Sequence, residues 1–303
     1  ALDICTATGN PFLILYTNLL LAITHTQSGR VKQADDICRQ LARQVNEGGM
    51  GHTAVAGWIA SIWGEVLAEL DELDAAVRHA QKGLELTERG GDVMMLGWSY
   101  LSLVRVLFSS GDLPAAEALV QQARSLGQGS ELPGWVQSQL AAWQARVWLA
   151  LGHRKAASEW VDERGLAAGQ EPLAYAREAE YITLARILTA QGPADEATNL
   201  LDRLLEAAEA DGRTSRAIEI LNLQSLAFQA GGSMAQAKRT LGRALALAEP
   251  GGFVRIFVDE GSPMARLLYE AAARGISPEY TAELLAAFPV GEPEPSDPSR
   301  PQT

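Results

Sequence analysis

Trp98–Leu126 reads WSYLSLVRVLFSSGDLPAAEALVQQARSL: a helix-length apolar run, a turn at Ser110–Asp112, and an alanine-rich second helix. The same grammar returns as SGRVKQADDI from Ser28, LDELDAAVRH from Leu70, LGHRKAASEW from Leu151, QGPADEATNL from Gln191 and GGSMAQAKRT from Gly231. Anchored on the turn residues Gly29, Asp71, Gly111, Gly152, Gly192 and Gly232, neighbouring copies lie 42, 40, 41, 40 and 40 residues apart. Five residues past each anchor stands an alanine: Ala34, Ala76, Ala116, Ala157, Ala197 and Ala237. A steady period of this size predicts a solenoid, in which each unit buries its apolar face against its neighbours.

Seven residues before the anchors stand Ala22, Gly64, Val104, Ala145, Ala185 and Ser225, mostly small. Four before stand His25, Leu67, Leu107, Trp148, Leu188 and Phe228, mostly large, and nine after stand the apolar Cys38, Ala80, Val120, Val161, Leu201 and Leu241. This alternation lets paired helices interlock. It resembles the tetratricopeptide repeat, with units longer than the usual 34 residues. The expected architecture is an all-α, right-handed superhelix of about six to seven helix pairs. Residues 1–250 hold six pairs, 251–288 form capping helices, and the Pro/Glu/Ser-rich 289–303 read as a flexible linker. The fourth pair is irregular because Gly165 and Gly169 fall near the end of its second helix, and the fifth is read as starting at Pro172. In the cap, Ser262-Pro263 and Ser277-Pro278 read as a serine N-cap followed by proline at the first helical position.

Composition restricts the function. There are 25 Lys and Arg against 37 Asp and Glu, a net charge of −12, which argues against gripping a phosphate backbone. Two cysteines, Cys5 and Cys38, make no disulfide framework, and no start resembles a signal peptide, so a cytoplasmic setting is expected. The longest apolar run, Pro11–Ile23, is too short and polar to span a bilayer. Opening on Ala1 without a Met and closing on GEPEPSDPSRPQT, the chain reads as a piece of something longer.

Within Gly251–Phe288, GFVRIFVDEG, then Pro-Met-Ala-Arg-Leu-Leu, then Ala-Ala-Ala-Arg-Gly and a closing Leu-Leu-Ala-Ala-Phe resemble the end of the repeat region in large LuxR-type ATP-dependent transcriptional regulators. In that family a nucleotide-binding domain precedes the repeats and a helix-turn-helix domain follows. Neither is expected here, since G-x-x-x-x-G-K-[ST] is missing and Phe288 is followed only by the tail. The resemblance implies a sensor segment that binds a small-molecule inducer or a regulatory protein and relays that state to those domains. It would meet DNA only through the absent helix-turn-helix.

In repeats of this kind the first helices line the concave face, and positions 13, 10 and 6 before the anchor share one helix side. The last of these reads Ile23, Glu65, Arg105, Arg146, Arg186 and Leu226; the first reads Tyr16, Trp58, Trp98, Gln139, Ala179 and Glu219. The candidate ligand-binding residues are therefore Trp58, Glu65, Trp98, Arg105, Arg146 and Arg186. The tryptophans would stack on a flat or apolar face, and the three arginines would hold one ligand or peptide carboxylate. The bland alternative packs the tryptophans between helices and leaves the arginines solvated or paired with local Glu. Trp63, Trp143, Trp148 and Tyr181 are expected in the core. Asp71-Glu72 and Asp259-Glu260 read as solvated turn charges. His25, His52, His79 and His153 lie in different repeats with no i,i+4 metal pair, and no nucleophile is placed beside a base, so neither a metal, a cofactor nor enzymatic activity is expected. A tetratricopeptide scaffold binding only a peptide or protein is the alternative function, and the exposed ends of a cut solenoid offer surfaces for self-association.

Overall fold

The computed structural model describes residues 10–90, 92–127, 132–169 and 173–289. Among them the chain is all α-helical, with no strand. The first pair is α1 (Pro11–Gln27) and α2 (Val31–Glu47), the second α3 (Ala54–Glu69) and α4 (Leu73–Gly90), and the third α5 (Val93–Ser109) and α6 (Leu113–Gly127). The fourth is α7 (Gly134–Ala150) and α8 (Arg154–Glu163), the fifth α9 (Glu178–Gln191) and α10 (Ala194–Ala210), and the sixth α11 (Thr214–Ala230) and α12 (Met234–Ala248). The short helices α13 (Arg255–Val258), α14 (Ser262–Ala272) and α15 (Pro278–Ala286) follow. No described helix is long and apolar enough to cross a membrane.

The anchor residues make the turns by one device. Gly29, Asp71, Gly111, Gly152 and Gly232 all have positive φ. Each donates its N–H three residues back, and the next residue donates to the carbonyl five back, as in Asp112 N to Leu107 O at 3.0 Å and His153 N to Trp148 O at 2.8 Å. This paired closure is the Schellman motif, which needs a left-handed residue after the helix. The fifth anchor departs from it. Gly192 has φ −122°, because the following residue is Pro193, which has no N–H to donate the longer bond.

The small positions are where the helices meet. All six repeat alanines are 0% exposed. A Cβ added at Gly64 would stand 3.0 Å from the Ala76 carbonyl and from Ala80 Cβ, so α3 and α4 approach as closely as their sequence allows.

The fourth pair is shorter than the others. Gly165, at φ 58°, ends α8, and the next pair opens with a 3₁₀ turn at Tyr175–Arg177 rather than with one helix from Pro172. Pro172 itself lies outside the described residues. The fully buried Glu180 pins this joint: Arg177 Nε donates to it at 2.7 Å and Arg164 also pairs with it.

The row of repeats returns on itself. A Cβ at Gly29 would lie 2.9 Å from Thr214 Cγ2 at the start of α11, and one at Gly251 would lie 2.3 Å from the Gly29 carbonyl oxygen. Leu19 and Ala22 of α1 share a buried cluster with Ile218 and Leu221 of α11 and with Phe253.

The segment after α12 is more than an end cap. Phe253–Glu260 enters the concave face: Val254 N donates to Glu69 O and Ile256 N to Glu69 Oε1, both at 2.9 Å. Asn222 Nδ2 of α11 donates to Ile256 O at 3.0 Å, and the Tyr280 hydroxyl of α15 donates to Phe253 O. The expected serine caps take another form. Gly261 is the N-cap of α14, with Ser262 already inside the helix, and Ser277 caps α15 in a left-handed conformation without a side-chain bond to the helix. The residues after Pro289, read as linker, lie outside the described residues.

Candidate functional site

A cavity of about 190 Å³ lies on the axis of the superhelix. All six first helices reach it, from Thr26 of α1 to Glu219 of α11, and Phe253, Ile256, Asp259 and Glu260 close it. Its middle is built from the repeat positions singled out above. Trp98, Gln139, Ala179 and Glu219 stand 13 before their anchors; Glu65, Arg105, Arg146 and Arg186 stand 6 before. Helical spacing puts both sets on one side of each first helix, and the 40-residue period stacks them. The three arginines thus lie on one wall, with Glu65 beside them.

Each arginine is already paired. Arg105 Nη2 donates to Glu69 at 2.5 Å and Nη1 lies 3.4 Å from Glu65. Arg186 Nη2 donates to Glu219 and to Glu260, both at 2.7 Å. Arg146 lies 3.3 Å from Glu260 and also sits over the rings of Phe108 and Trp143, at 4.7 and 4.8 Å. Three of these partners, Glu65, Glu69 and Glu219, belong to neighbouring first helices. Glu260 comes from the C-terminal segment, and its carboxylate serves two arginines at once.

The local electrostatics follow from burial and these pairs. Burial pushes the Glu69 carboxyl up to about 7, with Arg105 and the Ile256 N–H opposing. Burial also acts to raise Glu219, but Arg216, Arg186 and Arg146 outweigh it and hold that carboxyl well below its ordinary range. Burial and the neighbouring Arg186 charge lower the Arg146 pKa. Burial works against the Arg186 charge, and Glu260 and Glu219 overcome it.

Several sequence readings change. Asp259 and Glu260 are not solvated turn charges: their side chains are 7% and 9% exposed. Asp259 accepts from the Ser109 hydroxyl at 2.6 Å and from Arg255 Nε at 2.8 Å. Arg255 in turn donates to the Ser109 carbonyl and reaches Asp71 at 3.2 Å. These contacts link positions up to 184 residues apart, which no local pattern could reveal.

Trp58 is 2% exposed and does not line the cavity. It is packed in an aromatic file, 5.6 Å from Tyr16 and 6.1 Å from Trp98, and Trp98 continues to Trp135 at 5.3 Å. Of the two tryptophans proposed for stacking only Trp98 faces the cavity, its indole N–H donating to Glu65 at 3.1 Å.

Trp143, expected in the core, packs against it and also lines the cavity, as does Trp135. Trp135 was legible in principle: a large ring at the start of a first helix, one turn before the position that carries Gln139. Trp63 and Trp148 pack against the core, their indoles donating to Asp35 at 2.8 Å and Glu117 at 3.0 Å. Tyr181 is buried.

Among the described residues no group of three or more His, Cys, Asp or Glu could hold a metal ion. Cys38 is buried, and burial together with Asp35 pushes its thiol up to about 12; Cys5 lies outside the described residues.

The family model that matches describes a MalT-like TPR region and covers residues 4–274. The chain is 27% identical over 228 residues to an HTH-type transcriptional regulator MalT of Yersinia enterocolitica, and to that of Yersinia pestis at the same level. The match covers 73% of this chain and 24% of each relative, so the chain spans about a quarter of their length. Among solved structures it is similar to kinesin light chain TPR-like repeats of Podosopora anserina, with a TM-score of 0.40 and 18% identity over 62% of this chain and 92% of that one. It is also similar to BtubC of P. vanneervenii, with a TM-score of 0.46 and 14% identity over 74% of this chain and 91% of that one. The helix pairs, their period and the extent of the family match together place this chain in the MalT-like TPR region family.

Proposed function

We propose that the chain is the sensor segment of a LuxR-type transcriptional regulator, that the axial cavity binds a small-molecule inducer, and that Phe253–Glu260 reads its arrival. One observation carries this: the first helices of all six repeats and the C-terminal segment meet at one cavity. A ligand there touches both the repeats and the stretch of chain that leads out of them.

The paired arginines refine the ligand. A free carboxylate would have to displace Glu65, Glu69, Glu219 or Glu260 from an existing pair. A neutral polar molecule with a flat apolar face fits better. It can stack on Trp98, Trp135 or Trp143 and exchange hydrogen bonds with charged groups that keep their partners. A dry cavity of roughly 150 Å³ holds benzene, so about 190 Å³ takes one ring. A larger inducer must push the C-terminal segment outward, which couples binding to the relay. The chain is not an enzyme in this reading, and DNA contact belongs to another domain.

A thermal-shift screen with sugars, phenolics and nucleotides is the test. The expected result is a stabilising hit that is lost in Arg105→Ala, Arg146→Ala or Trp98→Ala, each checked for helicity. Silence across the screen, with capture of a peptide on the concave face, would establish the scaffold alternative instead.

A further inference from the structure

On the other side of the Asp259-Glu260 turn lies a second cavity, of about 620 Å³. It differs in character from the axial one. Its wall is formed by the C-terminal halves of the first helices and is mainly apolar, with Phe108, Leu149, Leu223 and Leu226 contributing side chains. Its volume falls in the range of small-molecule sites, roughly 300–1,000 Å³. Its floor is the salt-bridged septum of Arg146, Arg186, Asp259 and Glu260, which also lines the axial cavity.

Two further arginines line it. Arg154 opens α8 and Arg266 lies on α14, so they reach the cavity from separate elements. Both are exposed, and neither side chain has an ion-pair or hydrogen-bond partner among the described residues. In a chain with net charge −12, two unneutralised guanidiniums beside an apolar hollow are a local inversion of charge. The apolar wall needs an apolar body, and the arginines need an anion that stays at the water boundary. The septum adds an unmet donor: Arg186 is 8% exposed, yet its Nε has no acceptor.

From these features we infer that the second cavity is a binding site for a small amphiphilic organic acid, its apolar body against Phe108, Leu149, Leu223 and Leu226 and its carboxylate held by Arg154 and Arg266. The site is distinct from the axial one and does not depend on the inducer reading. The shared septum joins the two, so filling one changes the packing the other sees.

Calorimetric titration of the full chain with decanoate and with 4-phenylbutyrate, both well below micelle formation, tests this. Decanol and acetate serve as the charge-free and body-free comparisons. Saturable one-to-one binding of decanoate is expected, weakened about tenfold in the Arg154→Gln/Arg266→Gln double variant, the loss expected for a charge-assisted pair. Ala190→Trp, a bulky change at an exposed lining position, should block binding while circular dichroism stays unchanged.

Decanol binding as tightly as decanoate, or decanoate binding unaffected by both variants, would overturn the assignment. So would binding abolished by Trp98→Ala alone, which belongs to the axial cavity. No binding of either acid also overturns it. A dimer in solution that dissociates when Arg154 and Arg266 are replaced would give the hollow to a second copy of this chain.

Discussion

Glu260 answers both Arg146 and Arg186 from a position where its side chain is 9% exposed. Removing one partner of a buried ion pair leaves a charge without compensation and costs about 3–5 kcal/mol. Glu260→Gln should therefore lower the unfolding free energy by about 3 kcal/mol in urea. Adding Arg146→Met should recover part of that loss, because Glu260 is the only carboxylate that Arg146 pairs with among the described residues. Equal stability of wild type and Glu260→Gln would mean that water already screens the pair.

Glu69 sets a pH dependence. A carboxyl whose pKa is raised on folding keeps its proton longer in the folded chain than in the unfolded one. Its stabilising contribution is complete below the ordinary value of 4.5 and is lost as pH rises toward about 7. The melting temperature of wild type relative to Glu69→Gln should accordingly fall across that interval, and a flat difference would mean that Arg105 keeps the group ionised. The alignment of Arg105, Arg146 and Arg186 was legible from the period alone. The pairing with Glu69 and Glu260 was not, because these lie 36, 114 and 74 positions from the arginines they answer, off both rows, and the stretch holding Glu260 looks like an ordinary turn.

Five of the six helix pairs use a left-handed residue at the turn, and all six have a small residue five positions on. Gly111 and Gly152 have φ 82° and 78°, and a Cβ at either would meet nothing within 4 Å. Replacing either with alanine tests backbone strain alone and should cost about 1–2 kcal/mol. Gly192, with φ −122°, carries no such strain, and any cost of Gly192→Ala must come from crowding against Leu188, 3.2 Å away. Ala116→Leu probes the other requirement. With its site 0% exposed, the added methyl groups must separate α5 from α6, at a cost of about 1–3 kcal/mol or more in chemical denaturation. The regular elements were readable because turn and spacer recur in every unit. The joint between α8 and α9 was read less well, because Glu180, which holds it, is gripped by Arg164 and Arg177 across a break in the pattern.

At the scale of the whole molecule, the superhelix closes. Gly251 lies so near the Gly29 carbonyl that a methyl group would fall 2.3 Å from the oxygen. Gly251→Ala should therefore part the last repeat from the first and loosen the adjoining Phe253–Glu260. Amide exchange of that segment should rise and the radius of gyration should increase, with far-UV circular dichroism little changed. An unaltered exchange pattern would show that Glu69, Asn222 and Tyr280 hold the segment without the closure. This closure is also why the expected concave face became an axial cavity divided from a second hollow by a charged septum.

The sequence alone determined the helix pairs, their period, the side of the middle first helices that faces inward and the row on which three arginines fall. Those properties are local, repeated with every unit, and follow from helical spacing. What covers that row was decided only in three dimensions. Phe253–Glu260 reaches the axis through contacts with Glu69 and Asn222, and contacts between residues so far apart in the chain leave no periodic trace in it.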